Sequence, residues 1–209
     1  MARGINAILL AAGESRRMGQ PKMLLPWGET TVLGQVVHMF SAGLSEKTQG
    51  PVLPDFEILV VTGGARPLVE AELARLAGSY PLRIVYNSNY ALGGMVSSIQ
   101  AGLSALGPET HAALIGLGDQ PQVRAETVRK ICTVFTQTGS PLIIPSFQNH
   151  RGHPWLAGRQ LWQEILALPS STSSRQFLDA HAGQIEYVAA GGSILQDLDT
   201  PEDYHRQRP

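Results

Sequence analysis

Short apolar runs alternate along the chain with segments in which apolar residues recur every three or four positions. The runs of strand length cover residues 7–10, 57–61, 83–86, 112–117 and 142–145. The segments with helical periodicity cover residues 32–44, 67–77, 95–106 and 125–136. Strands that alternate with helices in this way are typical of a parallel sheet covered by helices on both faces. The pattern therefore predicts an α/β fold with a mostly parallel, twisted sheet.

The pattern changes after residue 146. The segment RGHPWLAG, residues 151–158, predicts an edge strand or a hairpin. Two helices and a strand are expected next, over residues 160–168, 174–181 and 185–189. Thr200 followed by Pro201 predicts the capped start of a short last helix. We interpret this region as an elaboration of one domain that spans residues 1–209. Residues 45–56, with two prolines and a glycine, predict a mobile surface loop.

Composition narrows the class of protein. The 209 residues carry a formal net charge of -1, which argues against a nucleic-acid binder because phosphate contacts normally require a basic excess. The single cysteine, Cys132, excludes an internal disulfide and is compatible with a reducing compartment. Its apolar neighbours place it in the core. No apolar run is long enough to cross a bilayer, so we expect a cytoplasmic protein without membrane contact.

A glycine-rich basic segment, LAAGESRRMGQPK, follows the first strand at residues 10–22. Glycine lets the backbone approach a ligand closely, and two arginines with a lysine can neutralise several phosphate oxygens. The segment is neither a Walker A loop nor the GxGxxG motif of dinucleotide-binding folds. Residue types alone leave two interpretations open, a polyphosphate site and a solvated basic turn.

The same segment resembles the signature LAAGxSxRMGxPK of the nucleotidyltransferase superfamily that includes the molybdenum cofactor cytidylyltransferases and guanylyltransferases. Leu24, Leu25 and Pro26 continue the pattern, and the similarity extends through GDQP, GHP and DLDTPEDY. The resemblance implies a Rossmann-like nucleotidyltransferase fold. It also implies that the triphosphate is held by Arg17 and by the loop backbone, with Lys22 against the α-phosphate or the leaving pyrophosphate. The other loop residues taken as binding the nucleotide are Leu10, Ala11, Ala12, Gly13 and Gly19. Arg16 occupies a variable position of the signature, so we expect it to be solvated.

Asp119 follows the apolar run AALIGLG, at the expected carboxyl end of the fourth strand. That end of an open α/β sheet faces the ligand crevice, although an aspartate in an ordinary turn before Pro121 is an alternative. GDQP resembles the family's metal-binding motif, so we assign Asp119 to Mg²⁺, which prefers oxygen ligands. Alternation places Asp197 and Asp199 on one side of an extended segment. Either residue can supply a second ligand or serve the last helix; we favour Asp197 as the ligand.

Two further segments resemble binding motifs of the family. Asn87, Gly94 and Ser98 lie where the third strand leads into a helix, and such a helix start can bind a ribose, base or phosphate. Capping of this helix explains about half of these polar and glycine residues equally well. His153 belongs to a GHP motif that resembles that of the cytidylyltransferase branch, next to the acceptor pocket. It is either an acid, base or donor near neutral pH, or a structural histidine before a proline turn.

The resemblance implies transfer of a cytidylyl group from CTP to the terminal phosphate of molybdenum-bearing molybdopterin, with release of pyrophosphate. Transient contact with a receiving molybdoenzyme would follow. Family guanylyltransferases tend to carry LAGG where this chain has LAAG, so the extra methyl of Ala12 favours CTP over GTP. The alternatives are a guanylyl or sugar-phosphate nucleotidyltransferase and a non-catalytic chaperone that binds the cofactor for a molybdenum hydroxylase. Joint presence of Arg17, Lys22 and Asp119 argues against the chaperone, which needs no metal at the α-phosphate.

Overall fold

The computed structural model describes residues 4–45 and 56–209. The predicted loop over residues 45–56 therefore falls almost wholly outside the described residues. The strands of the main sheet are β1 (Gly4–Ala11), β4 (Ile58–Thr62), β5 (Leu82–Tyr86), β6 (Thr110–Leu117), β7 (Leu142–Phe147), β8 (His150–Arg151), β9 (Trp155–Gly158) and β10 (Ile185–Ala189). A separate hairpin that the sequence pattern did not indicate consists of β2 (Pro26–Trp27) and β3 (Thr30–Thr31).

The main sheet has the order β10-β7-β9-β6-β1-β4-β5, and β8 pairs with β7. Strand β1 is parallel to β4 and β6, β4 is parallel to β5, and β7 is parallel to β10. Strand β9 is antiparallel to both β6 and β7. The prediction of an α/β fold with a mostly parallel sheet is confirmed.

The expectation of an edge strand within residues 151–158 is wrong, because β9 lies between β6 and β7 in the interior of the sheet. All four residues of β9 are buried, which is the environment of a central strand. The hairpin alternative is confirmed, since β8 and β9 both run antiparallel to β7. Pro154, which cannot donate a ladder hydrogen bond, stands just before β9 rather than inside it.

The helices are α1 (Val32–Ser45), α2 (Arg66–Leu76), α3 (Gly94–Ala105), α4 (Ala125–Thr138), α5 (Trp162–Ala167), α6 (Ser174–Ala180) and α7 (Pro201–Gln207). Helices α1, α2 and α4 pack on one face of the sheet, and α3, α5 and α6 pack on the other. In β1 the alternation of the strand sends Ala7 and Leu9 to the first face and Ile8 and Leu10 to the second. Within the described ranges no helix is long and apolar enough to cross a membrane.

Cys132 lies in the core, as the sequence predicts. It is buried on α4, and this burial raises the pKa of its thiol to about 12.

A third apolar cluster joins the loop after β1 to the chain's last segment. Met18 from the loop and Trp27 from β2 pack with Leu198 and with Tyr204 of α7. The hydroxyl of Tyr204 donates a hydrogen bond to the carbonyl oxygen of Pro26 at 2.6 Å. Thr200 caps α7 in a capping box with Asp203, so the predicted start of this helix is confirmed. The cluster brings two segments nearly two hundred residues apart to the same edge of the sheet.

Gly43 of α1 marks a close contact with α4, and its replacement by alanine tests that packing. A Cβ at this position would lie 2.5 Å from the side chain of Val128. We expect Gly43→Ala to destabilise the fold by about 1–2 kcal/mol, because an overpacked interface has to separate. Thermal unfolding measures the effect, with Gly78→Ala as the matched control, since a Cβ at Gly78 meets nothing within 4 Å. Equal melting temperatures for the two variants would contradict this packing.

Candidate active site

A cavity of about 500 Å³ opens at the carboxyl ends of β1 and β6. Its walls come from the loop after β1, from the turn after β6 and from the start of α3, and Asp199 closes one side. The backbone N–H of Gly118 donates to the carbonyl oxygen of Leu10 at 3.0 Å, which extends the pairing of the two strands into the site. The cavity therefore lies where an open parallel sheet normally binds its ligand.

The loop after β1 is held in shape by Ser15. This residue has a positive φ of 52°, and its carbonyl oxygen accepts a hydrogen bond from the backbone N–H of Met18 at 2.9 Å. Its hydroxyl oxygen accepts another from the backbone N–H of Lys22 at 3.1 Å. Gly19 has a φ of 67°, a conformation that favours glycine. The loop thus turns twice and returns Lys22 to the cavity.

Lys22 brings two carboxylates together. Its ammonium forms an ion pair with Asp119 and lies 3.3 Å from a carboxylate oxygen of Asp199. Burial alone would lower the pKa of Lys22, but the charges and hydrogen bonds of Asp119 and Asp199 outweigh it and hold this pKa above its usual value. Lys22 is therefore a fixed cation at neutral pH. The guanidinium of Arg17 lies 3.1 Å from the other oxygen of Asp199 and is largely exposed.

Most of the site residues expected from the sequence line this cavity. They are Leu10, Ala12, Gly13, Arg17, Lys22, Gly94, Ser98 and Asp119. The cavity thus collects residues from the loop after β1, from the turn after β6 and from α3. The side chain of Arg16 is not among those described, so its solvated role stays a prediction.

Among the described residues, five of the expected site residues do not line the cavity: Ala11, Gly19, Asn87, His153 and Asp197. Ala11 packs in the apolar core on the α1 side of the sheet. Asn87 is buried, and its amide donates to the hydroxyl oxygens of Ser97 and Ser98 at 2.9 and 3.0 Å. Asn87 therefore supports Ser98, whose side chain does reach the cavity.

Asp197 and Asp199 lie on the same side of their segment, and the fully buried Leu198 lies between them. Both line a second, open cavity of about 580 Å³, which shares Asp199 with the first. Asp197 accepts a hydrogen bond from the side-chain amide of Gln120 at 2.7 Å. The structure therefore brings Asp199, and not the favoured Asp197, to the ammonium that contacts Asp119.

Comparison with known protein families identifies one whose domain covers most of this chain. Residues 7–185 match the model of the MobA-like NTP transferase domain. The chain belongs to the MobA-like NTP transferase family. It is therefore a nucleotidyltransferase, and the cavity at the carboxyl ends of β1 and β6 is the candidate active site of a member of this family.

Individual relatives cover nearly the whole chain. The molybdenum cofactor cytidylyltransferase of Escherichia coli K12 is 30% identical over 204 residues, which are 96% of this chain and 93% of that protein. The molybdenum cofactor guanylyltransferase of Mesorhizobium japonicum is 27% identical over 97% of this chain and 94% of that protein. The crystal structure of Rv0371c from Mycobacterium tuberculosis has a TM-score of 0.79 at 27% identity and covers 99% of this chain and 98% of that one. The same protein in complex with manganese has a TM-score of 0.75 at 25% identity, with the same coverage.

Several residues of this MobA-like site were missed by the sequence analysis. Tyr90 and Met95 line the cavity, but neither belongs to a pattern that marks a ligand site. Ser15 also lines it, and the serine of the LAAGxSxRMG signature was a signal that could have identified it. Asp199 was considered as an alternative to Asp197, and only its position beside Lys22 distinguishes the two.

His153 lies close to Asp197 in a buried environment. Its Nε2 atom is buried and has no hydrogen-bond partner among the described residues. Burial lowers the pKa of His153 to about 4, and the negative charge of Asp197 opposes this shift only in part. The imidazole is therefore neutral at pH 7, which favours the structural interpretation of this histidine over a role as a proton donor.

This pKa shift makes stability depend on pH. The unfolded chain takes up a proton on His153 near pH 6.5 and the folded chain only near pH 4, so stability falls as the pH is lowered between these values. Between neutral pH and pH 4, the free energy of unfolding is expected to fall by up to about 3 kcal/mol less in His153→Gln than in wild type. Urea unfolding at several pH values measures it. The control is His150→Gln, which changes an exposed histidine nearby. The same pH dependence in wild type and His153→Gln would contradict the assignment.

Proposed function

We propose that the chain, as one domain over residues 1–209, transfers a cytidylyl group from CTP to the terminal phosphate of molybdenum-bearing molybdopterin. The observation that carries the proposal is the convergence of Lys22, Arg17, Asp119 and Asp199 at one cavity. Two cations and two carboxylates at the end of a glycine-containing loop suit a metal-bound triphosphate. Carboxylates without cations, or a basic patch without carboxylates, would not suit such a ligand.

The reaction needs charge neutralisation more than a side-chain nucleophile. An oxygen of the acceptor phosphate attacks the α-phosphorus of CTP, and the bond to pyrophosphate breaks. Both reactants are anions, so cations positioned at the α-phosphate and at the leaving group lower the barrier. Lys22 fits the first role because it is fixed in the cavity, and Arg17 fits the second because it is exposed at the cavity wall. The second cavity meets the first at Asp199, so it is the candidate site for the acceptor.

The donor set fits Mg²⁺. No group of three or more histidine, cysteine or acidic residues with metal-site geometry occurs within residues 4–45 and 56–209. Mg²⁺ commonly uses only one or two carboxylates together with substrate phosphates, and Asp119 and Asp199 offer such a pair on either side of the Lys22 ammonium. When bound, the metal supplies positive charge to the phosphates. The manganese complex of a similar protein supports a divalent metal in this fold.

We place the nucleobase against the part of the cavity wall that Ala12, Met95 and Ser98 line. The Ser98 hydroxyl oxygen already accepts from Asn87, and no acceptor for its own hydrogen occurs in the described part of the chain. It is therefore free to donate to a ring acceptor such as O2 or N3 of cytosine. The relatives named for cytidylyl and guanylyl transfer are 30% and 27% identical, so the preference for CTP rests on the site itself.

Substitution of Asp119 tests the reaction. We expect Asp119→Asn to keep the fold and to lower kcat by about 100-fold or more, because an amide is a neutral and weaker metal ligand. The assay incubates the chain with CTP or GTP, Mg²⁺ and molybdenum cofactor, follows pyrophosphate release and identifies the dinucleotide by mass spectrometry. The control is Asp179→Asn, which removes a surface carboxylate paired with Arg151.

Each outcome of this assay separates the candidates. A cytosine dinucleotide formed by wild type supports the proposal, and a guanine dinucleotide or a product only with sugar phosphates replaces it with one of the alternatives. Binding of the cofactor without pyrophosphate release would indicate the chaperone. Wild-type turnover in Asp119→Asn would show that Asp119 does not hold the metal.

Ala12 tests the choice of nucleobase. It is almost fully buried, and a Cβ placed on Gly63 would lie 2.8 Å from its methyl group, so the methyl packs against a wall with little room to move. We expect Ala12→Gly to shift the ratio of kcat/KM for CTP over GTP towards GTP by about 10-fold, the usual weight of one methyl group. Ala91→Gly makes the same change elsewhere in the cavity wall and serves as the control. An unchanged ratio in Ala12→Gly would assign specificity to other residues.

A further inference from the structure

The turn that carries Asp119 is joined to the segment that carries Asp199 at two points. The first is Lys22, which contacts both carboxylates. The second is a hydrogen bond of 2.7 Å from the side-chain amide of Gln120 to the carboxylate of Asp197. Gln120 follows Asp119 in the turn, and Asp197 lies two residues before Asp199. The two links and the chain between them form a closed ring. The link between Gln120 and Asp197 still restricts the separation of the two carboxylates when Lys22 binds phosphate.

The Gln120 side chain is rigidly placed. Only 3% of this residue is exposed, and among the described residues its amide has no hydrogen-bond partner other than Asp197. Its backbone belongs to a tight turn, because its N–H donates to the carbonyl oxygen of Leu117 at 3.3 Å and its own carbonyl accepts from Val123 at 3.2 Å. Any shift of Gln120 therefore moves Asp119, its neighbour in the turn.

Asp197 is anchored on its own side as well. Its carbonyl oxygen accepts a hydrogen bond from the amide of Gln207 in α7 at 3.1 Å. The next residue, Leu198, is fully buried in the cluster with Met18 and Tyr204. The segment is thus fixed by its backbone, by an apolar side chain and by the Asp197 carboxylate before it reaches Asp199.

We propose that Gln120 and Asp197 form a positioning pair that sets the separation of Asp119 and Asp199, and that Asp197 is not itself a metal ligand. The inference rests on the proposed function in taking Asp119 and Asp199 as the metal-holding carboxylates. A carboxylate outside the ligand set commonly orients the ligands, and its loss weakens metal binding. What Asp197 has to supply is a hydrogen-bond acceptor for Gln120, and not a negative charge.

Two substitutions of Asp197 separate these roles. Asp197→Asn keeps an oxygen that accepts from Gln120 and removes the charge, whereas Asp197→Ala removes both. Electron paramagnetic resonance of free Mn²⁺, titrated with the whole chain in the absence of nucleotide, measures metal affinity directly. We expect Asp197→Ala to raise the Kd for Mn²⁺ by about 10-fold and Asp197→Asn to leave it within about twofold of wild type. Glu202→Gln removes a charge from an exposed residue of the same region and is the matched control.

Gln120→Leu provides an independent variant, in which the donor is lost at similar side-chain size. It is expected to raise the Kd for Mn²⁺ as much as Asp197→Ala does. The double variant is expected to be no worse than either single one, because residues that act as one unit give non-additive effects. Circular dichroism melting curves identify any variant that fails to fold, and the remaining members of the set then decide the outcome.

The results that overturn the inference are distinct from those that overturn the proposed function. A Kd for Asp197→Asn as high as that of Asp197→Ala would make Asp197 a metal ligand, as the sequence analysis favoured. Wild-type affinity in Asp197→Ala and Gln120→Leu, or no Mn²⁺ binding by wild type, would also reject the positioning pair. Failure of wild type to form a dinucleotide from CTP or GTP rejects the proposed function and leaves the Mn²⁺ result standing.

Discussion

The site depends on one partly buried ammonium group. Lys22 neutralises Asp119 and Asp199, which come from opposite ends of the second half of the chain, and its own segment follows the first strand. Two carboxylates placed this close would repel each other without a cation between them. The charges of these three side chains suit the metal-bound triphosphate of the proposed reaction, because that ligand carries both signs of charge.

The sheet supplies the frame on which this charge balance rests. Parallel β1 and β6 end side by side, so the loop after β1 and the turn after β6 start from adjacent positions. The interior strand β9 pairs with both β6 and β7 and ties the later part of the chain to the same sheet. Buried strands with helices on both faces leave little freedom at these ends. Small rearrangements of the site therefore have to come from the loops.

Apolar packing and polar links cooperate at the edge of the cavity. Met18 of the loop after β1 packs with Leu198, which lies between the two aspartates of the last segment. This contact stabilises the edge of the cavity because it removes apolar surface from water, whereas exposed ion pairs such as Arg17 with Asp199 contribute little. The polar contacts instead determine direction, since a hydrogen bond such as that between Gln120 and Asp197 needs a defined geometry.

The sequence by itself determined the alternation of strands and helices, because the periodicity of apolar residues follows from which faces are buried. It also determined Lys22, Arg17 and Asp119 as site candidates, since their motifs are contiguous. Tertiary structure alone decided that β9 is an interior strand, because pairing partners are set by contacts between distant segments. It likewise decided that Asp199 faces Lys22 while Asp197 binds Gln120. Two aspartates on one side of an extended segment are equivalent in sequence, and only their contacts in the folded chain, Asp199 with Lys22 and Asp197 with Gln120, make them different.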